Sequence, residues 1–185
     1  MKSLFIPEKI LFTGEQLSSF WAYKNYDILG DNIVAFIGPC EIEERYIIGI
    51  DHFKKKTKIK SEHMLHFLVE HFDMDLEKAI LRQKLLVDIL KDKLDHRLKG
   101  DILQRWGDDL FDTDYKLTVS ATLRTSVSTK IHLGVNISSR NTPVKTKGLE
   151  DYDIDPHEIA QAVMNQYCLD MRLISQRLCK TRSIE

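Results

Sequence analysis

The chain has few cysteines and no excess of charge of either sign. Cys40, Cys168 and Cys179 show no C-x-x-C spacing, which argues against a disulfide framework and a four-cysteine zinc site and favours a reducing cytoplasm. The 27 Lys and Arg against 28 Asp and Glu leave a formal net charge of −1. Because nonspecific nucleic-acid binding needs a basic field, this balance argues against nucleic acid as a partner.

Long apolar runs are also lacking. No segment approaches the roughly 18 apolar residues of a membrane helix, and the N-terminus lacks the apolar core, roughly 7–15 residues long, of a signal peptide. We therefore expect a cytoplasmic protein with no membrane partner. The length of 185 residues, 43% of them hydrophobic, predicts a single domain over 1–185.

The first part of the chain predicts one helix followed by strands. Thr13 and Gln16 have the spacing of a capping box, and helical periodicity then continues to Gly30. NIVAFIGPCEI and ERYIIGIDHF are β-branched runs split by Gly38-Pro39, so we expect two strands joined by a turn. EHMLHFLVEHF fits an interior strand, although its pattern also permits a helix.

The second part predicts two long helices around a hairpin. Asp75 caps a helix that ends near Gly100, and Asp155-Pro156 begins the last helix. Between them, the runs 116–124 and 130–138 alternate as a hairpin, and 139–155 is a long loop. The order predicts an α+β fold: a largely antiparallel sheet with helices packed mainly on one face.

One face of the hairpin is expected to be polar. If it is open to a groove, its donors suit a carboxylate or phosphate oxygen. The alternative, a solvated sheet face, stays open. The predicted polar face carries Lys116, Thr118, Ser120, Thr122, Arg124, Ser128, Lys130, His132, Gly134, Asn136 and Ser138.

Histidines cluster in EHMLHFLVEHF without the spacing of a metal site. His66 and Glu70 are four residues apart, whereas a zinc helix of the H-E-x-x-H type needs two histidines at that interval. We predict no metal site.

The hairpin region resembles known ligases. RWGDDLFDTDYKLTVSATL is similar to the K-W-P-N-D-L run of biotin protein ligases, which is followed by K-L-x-G, and to the N-D-L and K-I-S-G of lipoate protein ligases. Asp109 and Lys116 keep the seven-residue interval of the lipoate ligases. IHLGVNI resembles the G-I-G-I-N-V strand of biotin ligases and the H-G-L-A-L-N-V strand of octanoyltransferases.

The wider chain resembles an uncharacterised family. LSSFWAYKNYDILGDNIVAFIGPC and HMLHFLVEHF are similar to an archaeal family of domains of unknown function that has the fold of class II aminoacyl-tRNA synthetases and biotin/lipoate protein ligases. This resemblance implies the fold and names no reaction.

The ligase resemblance implies roles for particular residues. Lys116 is the expected catalytic residue, contacting a substrate carboxylate and stabilising negative charge on the attacked oxygen. Asp109 is expected near a nucleotide, which makes ATP a possible cofactor; a solvated acidic turn is the alternative for the aspartates of this stretch. The expected substrate-binding residues are Asn136, Gly134, His132, Thr118, Ser120 and Asp109.

The chain departs from the ligases at two places. It lacks their glycine-containing phosphate loops and has FKKKTKIK instead, so Lys54, Lys55 and Lys56 are candidates for phosphate contact, with a charged guard of an edge strand as the alternative. An octanoyltransferase needs a cysteine nucleophile, for which Cys40 is the candidate; a small core residue is the alternative.

Together these observations predict a ligase or acyltransferase-like protein. We expect it to bind a small carboxylate, acyl group or nucleotide on the sheet and, as an enzyme, to act on an acceptor protein. The alternative is a non-catalytic binding module of the same fold that contacts RNA or a protein partner. The exposed hairpin ends make a homodimer possible.

Overall fold

The computed structural model describes residues 1–50, 54, 60–138 and 144–184. The strands are β1 (Lys2–Ile6), β2 (Asn32–Glu41), β3 (Lys60–His71), β4 (Gln104–Trp106), β5 (Asp109–Asp112), β6 (Tyr115–Lys116), β7 (Thr118–Arg124) and β8 (Thr129–Asn136). The α-helices are α1 (Trp21–Tyr26), α2 (Leu76–Leu98) and α3 (Pro156–Leu178), and short 3-10 helices occupy Glu15–Leu17, Glu44–Tyr46 and Leu149–Tyr152.

The described strands form two sheets. The larger has the order β1-β2-β3-β8-β7; β1 runs parallel to β2 and the other pairs are antiparallel. The smaller has the order β4-β5-β6 and lies beside β7 in the chain. The predicted α+β fold with a largely antiparallel sheet is confirmed.

The two long helices pack on one face of the larger sheet. Leu86 and Leu90 of α2 and Val163 of α3 belong to the same buried cluster as Phe67 and Leu133 of the sheet. The predicted caps form: the Asp75 side chain accepts from the Lys78 amide, and the Asp155 side chain accepts from the Glu158 amide. Packing of the helices mainly on one face is therefore also confirmed.

The N-terminal segment covers part of the opposite face. Phe12 and Ala22 pack there with Phe36, Met64 and Leu68 in a second buried cluster. Strand β7 lies at the open edge of the sheet, and its Val119 and Leu123 side chains pack against this second cluster.

The prediction of two strands around Gly38-Pro39 is wrong. Strand β2 runs through both residues to Glu41, and the next run begins with the 3-10 helix Glu44–Tyr46. Pro39, which has no amide hydrogen, sits at the register shift between Gly38 and Cys40, where a missing donor is tolerated, and its carbonyl accepts from the Phe12 amide. Strand β2 therefore continues through the position where a turn was expected.

The first helix is shorter than its periodicity predicts. Helix α1 begins only at Trp21, because Phe20 adopts a left-handed backbone conformation with φ of 64°. The Phe20 amide donates to Glu70 of β3 at 3.0 Å, a contact between distant parts of the chain that the local pattern does not encode.

The predicted composition of the two hairpin faces is wrong. The four-residue turn places Arg124 opposite Thr129, so Thr118 pairs with Val135, Ser120 with Leu133 and Thr122 with Ile131. Because directly paired residues project to the same side, the hydroxyls of β7 face the helices, whereas His132 and Gly134 face the other way. Lys116 lies outside this hairpin, in β6 of the smaller sheet.

Candidate functional site

A cavity of about 540 Å³ lies along the edge strand β7 and extends around both of its faces. Its polar lining includes Lys60, Ser61, Asp109, Lys116, Thr118 and Asn136. Its apolar lining includes Ile47, Ile48, Met64, Ile80, Val119 and Val144. This combination of an apolar wall with a few polar groups is typical of small-molecule sites.

Lys116 and Asp109 form an ion pair in the wall of this cavity. The Lys116 ammonium lies 2.7 Å from Asp109 Oδ2, and the Thr118 hydroxyl donates to Asp109 Oδ1 at 3.2 Å. Burial raises the pKa of the Asp109 carboxyl above its ordinary value, although Lys116 acts in the opposite direction. The pair thus presents a cation and a partly desolvated carboxylate side by side.

Asn136 lines the same cavity as Lys116. It is the last residue of β8, and its backbone amide donates to the Leu117 carbonyl. Its side-chain amide donates to the carbonyl oxygen of Lys116 at 3.4 Å. The end of β8 therefore orders the strand segment from which the lysine projects.

Ser120 and Thr122 line the part of the cavity nearest α2. The Ser120 hydroxyl donates to the Asp108 carbonyl and accepts from Gln83 Nε2, while the Thr122 hydroxyl donates to Gln83 Oε1. Gln83 is buried and was not predicted. Its signal was present, since it is a polar residue at helical spacing between the buried Ala79 and Leu86.

His132 and Gly134 were expected in a groove but lie in packed protein. The His132 ring stacks on Phe12 at 3.9 Å between ring centres, and a Cβ added at Gly134 would come within 2.8 Å of the Met64 side chain. Neither residue belongs to the described lining of the cavity. The N-terminal segment fills the space beside them, a long-range contact that the alternation of the strand does not reveal.

Two buried histidines, His66 and His132, form a hydrogen-bonded chain. His66 Nε2 lies 3.2 Å from the Gly38 carbonyl oxygen, which can only accept, so this nitrogen carries the proton. His66 Nδ1 then accepts from His132 Nε2 at 3.1 Å. Burial lowers the pKa of His66 to about 4 and that of His132 well below its ordinary value, so both rings are neutral at pH 7.

Cys40 does reach the cavity, but its thiol is poorly suited to nucleophilic attack. The residue is buried, and burial raises the pKa of the thiol to about 12. Because the thiolate is the attacking form, a protonated thiol at pH 7 is unreactive. This environment fits the alternative of a small buried residue.

Of the three lysines predicted to contact phosphate, the structure describes Lys54, which is exposed. Lys55 and Lys56 lie outside the described residues. Lys60, which ends the same basic run, lines the cavity and lies 3.7 Å from Glu41.

Ser61 is a second cavity residue that sequence reasoning missed. It is 5% exposed, and its hydroxyl has no hydrogen-bond partner among the described residues. A serine at the start of a strand gives no sequence signal of this kind.

Two classes of feature are absent from the part of the chain that the structure describes. No three His, Cys, Asp or Glu side chains there converge as metal ligands would. Nor is any helix in the described ranges long and apolar enough to cross a membrane.

Comparison with known sequences relates nearly the whole chain to proteins without an assigned activity. The family described as Domain of unknown function (DUF366) matches residues 1–182. An uncharacterised protein of Methanocaldococcus jannaschii is 38% identical over 189 residues, which cover 98% of this chain and 84% of that protein. A solved protein of unknown function from Pyrococcus horikoshi superposes with a TM-score of 0.92 at 30% identity, covering 99% and 98% of the two chains.

Solved ligases share the fold at much lower identity. The biotin protein ligase of Aquifex aeolicus, in complex with biotin and ATP, has a TM-score of 0.63 at 11% identity, covering 91% of this chain and 70% of the ligase. A putative lipoate protein ligase from T. acidophilum with bound lipoic acid has a TM-score of 0.58 at 10% identity, covering 93% and 87%. The fold is therefore that of the biotin and lipoate protein ligases.

Proposed function

Because the chain belongs to the DUF366 family and has the fold of biotin and lipoate protein ligases, we propose that it binds a small carboxylate, acyl group or nucleotide in the β7 cavity. Lys116 is the proposed partner of the ligand's carboxylate or carbonyl oxygen. The ligases supply the precedent of biotin, ATP and lipoic acid as bound molecules in this fold.

One observation carries the proposal: Lys116 and Asn136 line the same cavity although they come from different sheets. The lysine has three N–H donors, and Asp109 accepts one of them. An oxygen of the ligand is a suitable acceptor for another. Apolar side chains such as Met64 and Val119 form the adjoining wall and suit a hydrocarbon portion.

Such a site is suited to acyl transfer from an activated acyl group such as a thioester. The nitrogen of an acceptor amine forms a bond to the acyl carbon, the carbon–sulfur bond breaks, and the thiol leaves with the proton that the amine loses. Negative charge grows on the acyl oxygen before the bond breaks. A preplaced ammonium at Lys116 stabilises that charge with little reorganisation.

The described residues fit a nucleotide less well than an acyl group. The described lining of the cavity contains one glycine, Gly49, whereas a phosphate cradle needs several backbone N–H groups brought close by glycines. We therefore assign no adenylation step. The high pKa of the Cys40 thiol likewise argues against a covalent thioester on this residue.

The second candidate is a non-catalytic module that binds a protein partner. Trp106, at the turn between β4 and β5, is 80% exposed, an unusual position for a large aromatic side chain. RNA and a second copy of the chain are the other partners that this candidate allows. A cytoplasmic location is part of both candidates, and the three cysteines are free thiols.

The test is ligand-induced thermal stabilisation of the protein and of two matched variants. Octanoate, lipoate, biotin and ATP are added in turn; a true ligand raises Tm by mass action. Lys116→Gln is expected to weaken carboxylate binding by at least about tenfold, the effect of one charge-assisted hydrogen bond. Lys147→Gln, which removes the neighbouring ion pair with Asp112, is expected to bind as the parent does.

Two results would contradict the proposal. One is the absence of stabilisation by every compound in the panel. The other is an equal loss of binding in Lys116→Gln and Lys147→Gln, since Lys147 lies outside the described lining of the cavity.

A further inference from the structure

The Ser61 hydroxyl is an unexplained polar group in the wall of the β7 cavity. Its residue is 95% buried, it lines the cavity, and no described residue hydrogen-bonds to the hydroxyl. Native proteins pair nearly all buried polar groups, so each exception calls for a missing partner. A bound ligand is one such partner.

Strand pairing places Cys40 beside Ser61. The two residues are opposite each other in the β2–β3 ladder and both line the cavity. Their hydroxyl and thiol form a small patch of neutral hydrogen-bonding groups. This patch therefore differs from the charged patch at Lys116 and Asp109.

The neutral patch lies at a distance from the charged end of the cavity. Ser61 is three residues along β3 from Met64, and Met64 pairs with Asn136. Because of the register shift, the partner strand β2 advances by only two residues over this stretch, from Cys40 to Gly38, which at about 3.3 Å per residue corresponds to about 7 Å. The Met64 and Val119 side chains line the wall between.

We propose that the natural ligand is bifunctional: a carboxylate or acyl group at Lys116, an apolar spacer, and a neutral hydroxyl or carbonyl group that hydrogen-bonds to Ser61. This inference rests on the proposed function and narrows its substrate class. Simple alkanoates, whose far end is a methyl group, leave the Ser61 hydroxyl unpaired and are therefore poorer ligands.

The test compares two ligands that differ by one hydroxyl group. Binding of octanoate and of ω-hydroxyoctanoate is measured by calorimetry with the parent protein, Ser61→Ala and Lys116→Gln. The parent is expected to bind the hydroxylated acid about fivefold more tightly, as for one added hydrogen bond. Ser61→Ala is expected to lose this preference and to bind the two acids with equal affinity.

Controls separate the hydroxyl from general effects. Ser18→Ala removes the same group at an exposed position outside the described cavity lining and should keep the preference. Without ligand, Ser61→Ala is expected to have the same Tm as the parent or a higher one, because the hydroxyl that it removes has no partner among the described residues. A lower Tm would show that another group or a water already satisfies Ser61, and would overturn the inference.

The outcomes distinguish this inference from the proposed function. If Lys116→Gln weakens both acids but the parent binds them equally, the Ser61 inference fails and the proposed function stands. If the preference survives in Ser61→Ala, the same conclusion follows. If neither acid binds the parent, or Lys116→Gln binds both unchanged, both proposals fail. If Ser61→Ala does not fold, the relative affinity of the parent protein for ω-hydroxyoctanoate and octanoate decides whether the Ser61 inference holds.

Discussion

Two Lys–Asp ion pairs involve aspartates of the same strand, β5, but the pKa values of the two carboxyls shift in opposite directions. Lys116 contacts Asp109 at 2.7 Å, and Lys147 contacts Asp112 at 2.6 Å. The carboxylates are similarly covered, 15% and 9% exposed, and the lysines are 30% and 35% exposed. Yet the pKa of Asp109 is raised, whereas that of Asp112 is lowered.

The difference comes from what surrounds each carboxylate. Asp112 Oδ2 accepts from both the Lys147 ammonium and the Tyr152 hydroxyl, and these donors dominate. Asp109 is no less exposed at the surface but has far more protein around it, so its desolvation outweighs the Lys116 ammonium and the Thr118 hydroxyl, and neighbouring Asp108 adds negative charge. The Lys147–Asp112 pair thus stabilises the charged carboxylate, whereas the Lys116–Asp109 pair leaves a carboxylate beside the cavity that is less well stabilised.

The largest expected difference between the pairs is in folding stability. Asp112→Asn removes the charge that two donors stabilise and is expected to lower the free energy of unfolding at pH 7 by about 1 to 2 kcal/mol. Asp109→Asn is expected to leave it unchanged or raised, because burial already disfavours this charge. Urea unfolding of both variants measures the difference; equal losses would mean that the two pairs play the same structural role.

The next largest expected effect is on ligand affinity. Asp109 competes with a ligand carboxylate for the Lys116 ammonium, so Asp109→Asn is expected to tighten octanoate binding about fivefold. Asp112→Asn, outside the described cavity lining, is expected to leave it unchanged. Calorimetry with octanoate checks both values. Weaker binding by Asp109→Asn would show that the carboxylate holds the lysine in place for the ligand.

The smallest expected effect is the pH dependence of these stability changes. The lowered pKa of Asp112 gives stability that is present above pH about 4 and lost as pH falls through the folded-state pKa, so the loss caused by Asp112→Asn should shrink in acid. Asp109 has the opposite sign: its raised pKa favours the folded state at low pH, and this contribution is lost as pH rises. Any increase in the free energy of unfolding caused by Asp109→Asn should therefore be greatest near pH 7.

Urea midpoints of the parent and both variants between pH 7 and pH 3 test these opposite trends. The lowered pKa of His66 and of His132 gives stability that is lost as pH falls below about 6.5. Since both histidines are present in the parent and in the two variants, this contribution is the same in all three proteins. Differences between variant and parent remove this shared background. Parallel curves for the two variants would contradict the contrast between the pairs.

The sequence predicted the parts of the fold that local rules control. The caps at Asp75 and Asp155 form as expected because each needs a side chain and an amide three residues apart. The apolar pattern also favoured strand β3, and the short connection between β7 and β8 predicted their antiparallel pairing. The ion pair between Asp109 and Lys116, by contrast, was not predicted; only their seven-residue interval was evident from the sequence.

Other expectations depended on contacts between distant segments. His132 alternates like a groove residue, but Phe12 from the N-terminal segment stacks on it. Gln83 and Ser61 lie in the wall of the same cavity although they come from α2 and from the start of β3, which are far from β7 in the sequence. Contacts between segments that are distant in the sequence cannot be predicted from a local pattern of residues.

The amino-acid sequence by itself determined the two long helices with their caps, the hairpin strands β7 and β8, and the packing of the long helices mainly on one face. These follow from periodicity, capping and backbone chemistry, which act over a few residues. Tertiary structure alone decided the hairpin faces, the burial of His132 and the shape of the cavity. A turn of four residues set the strand register, and one step of register moves every side chain to the opposite face of a sheet.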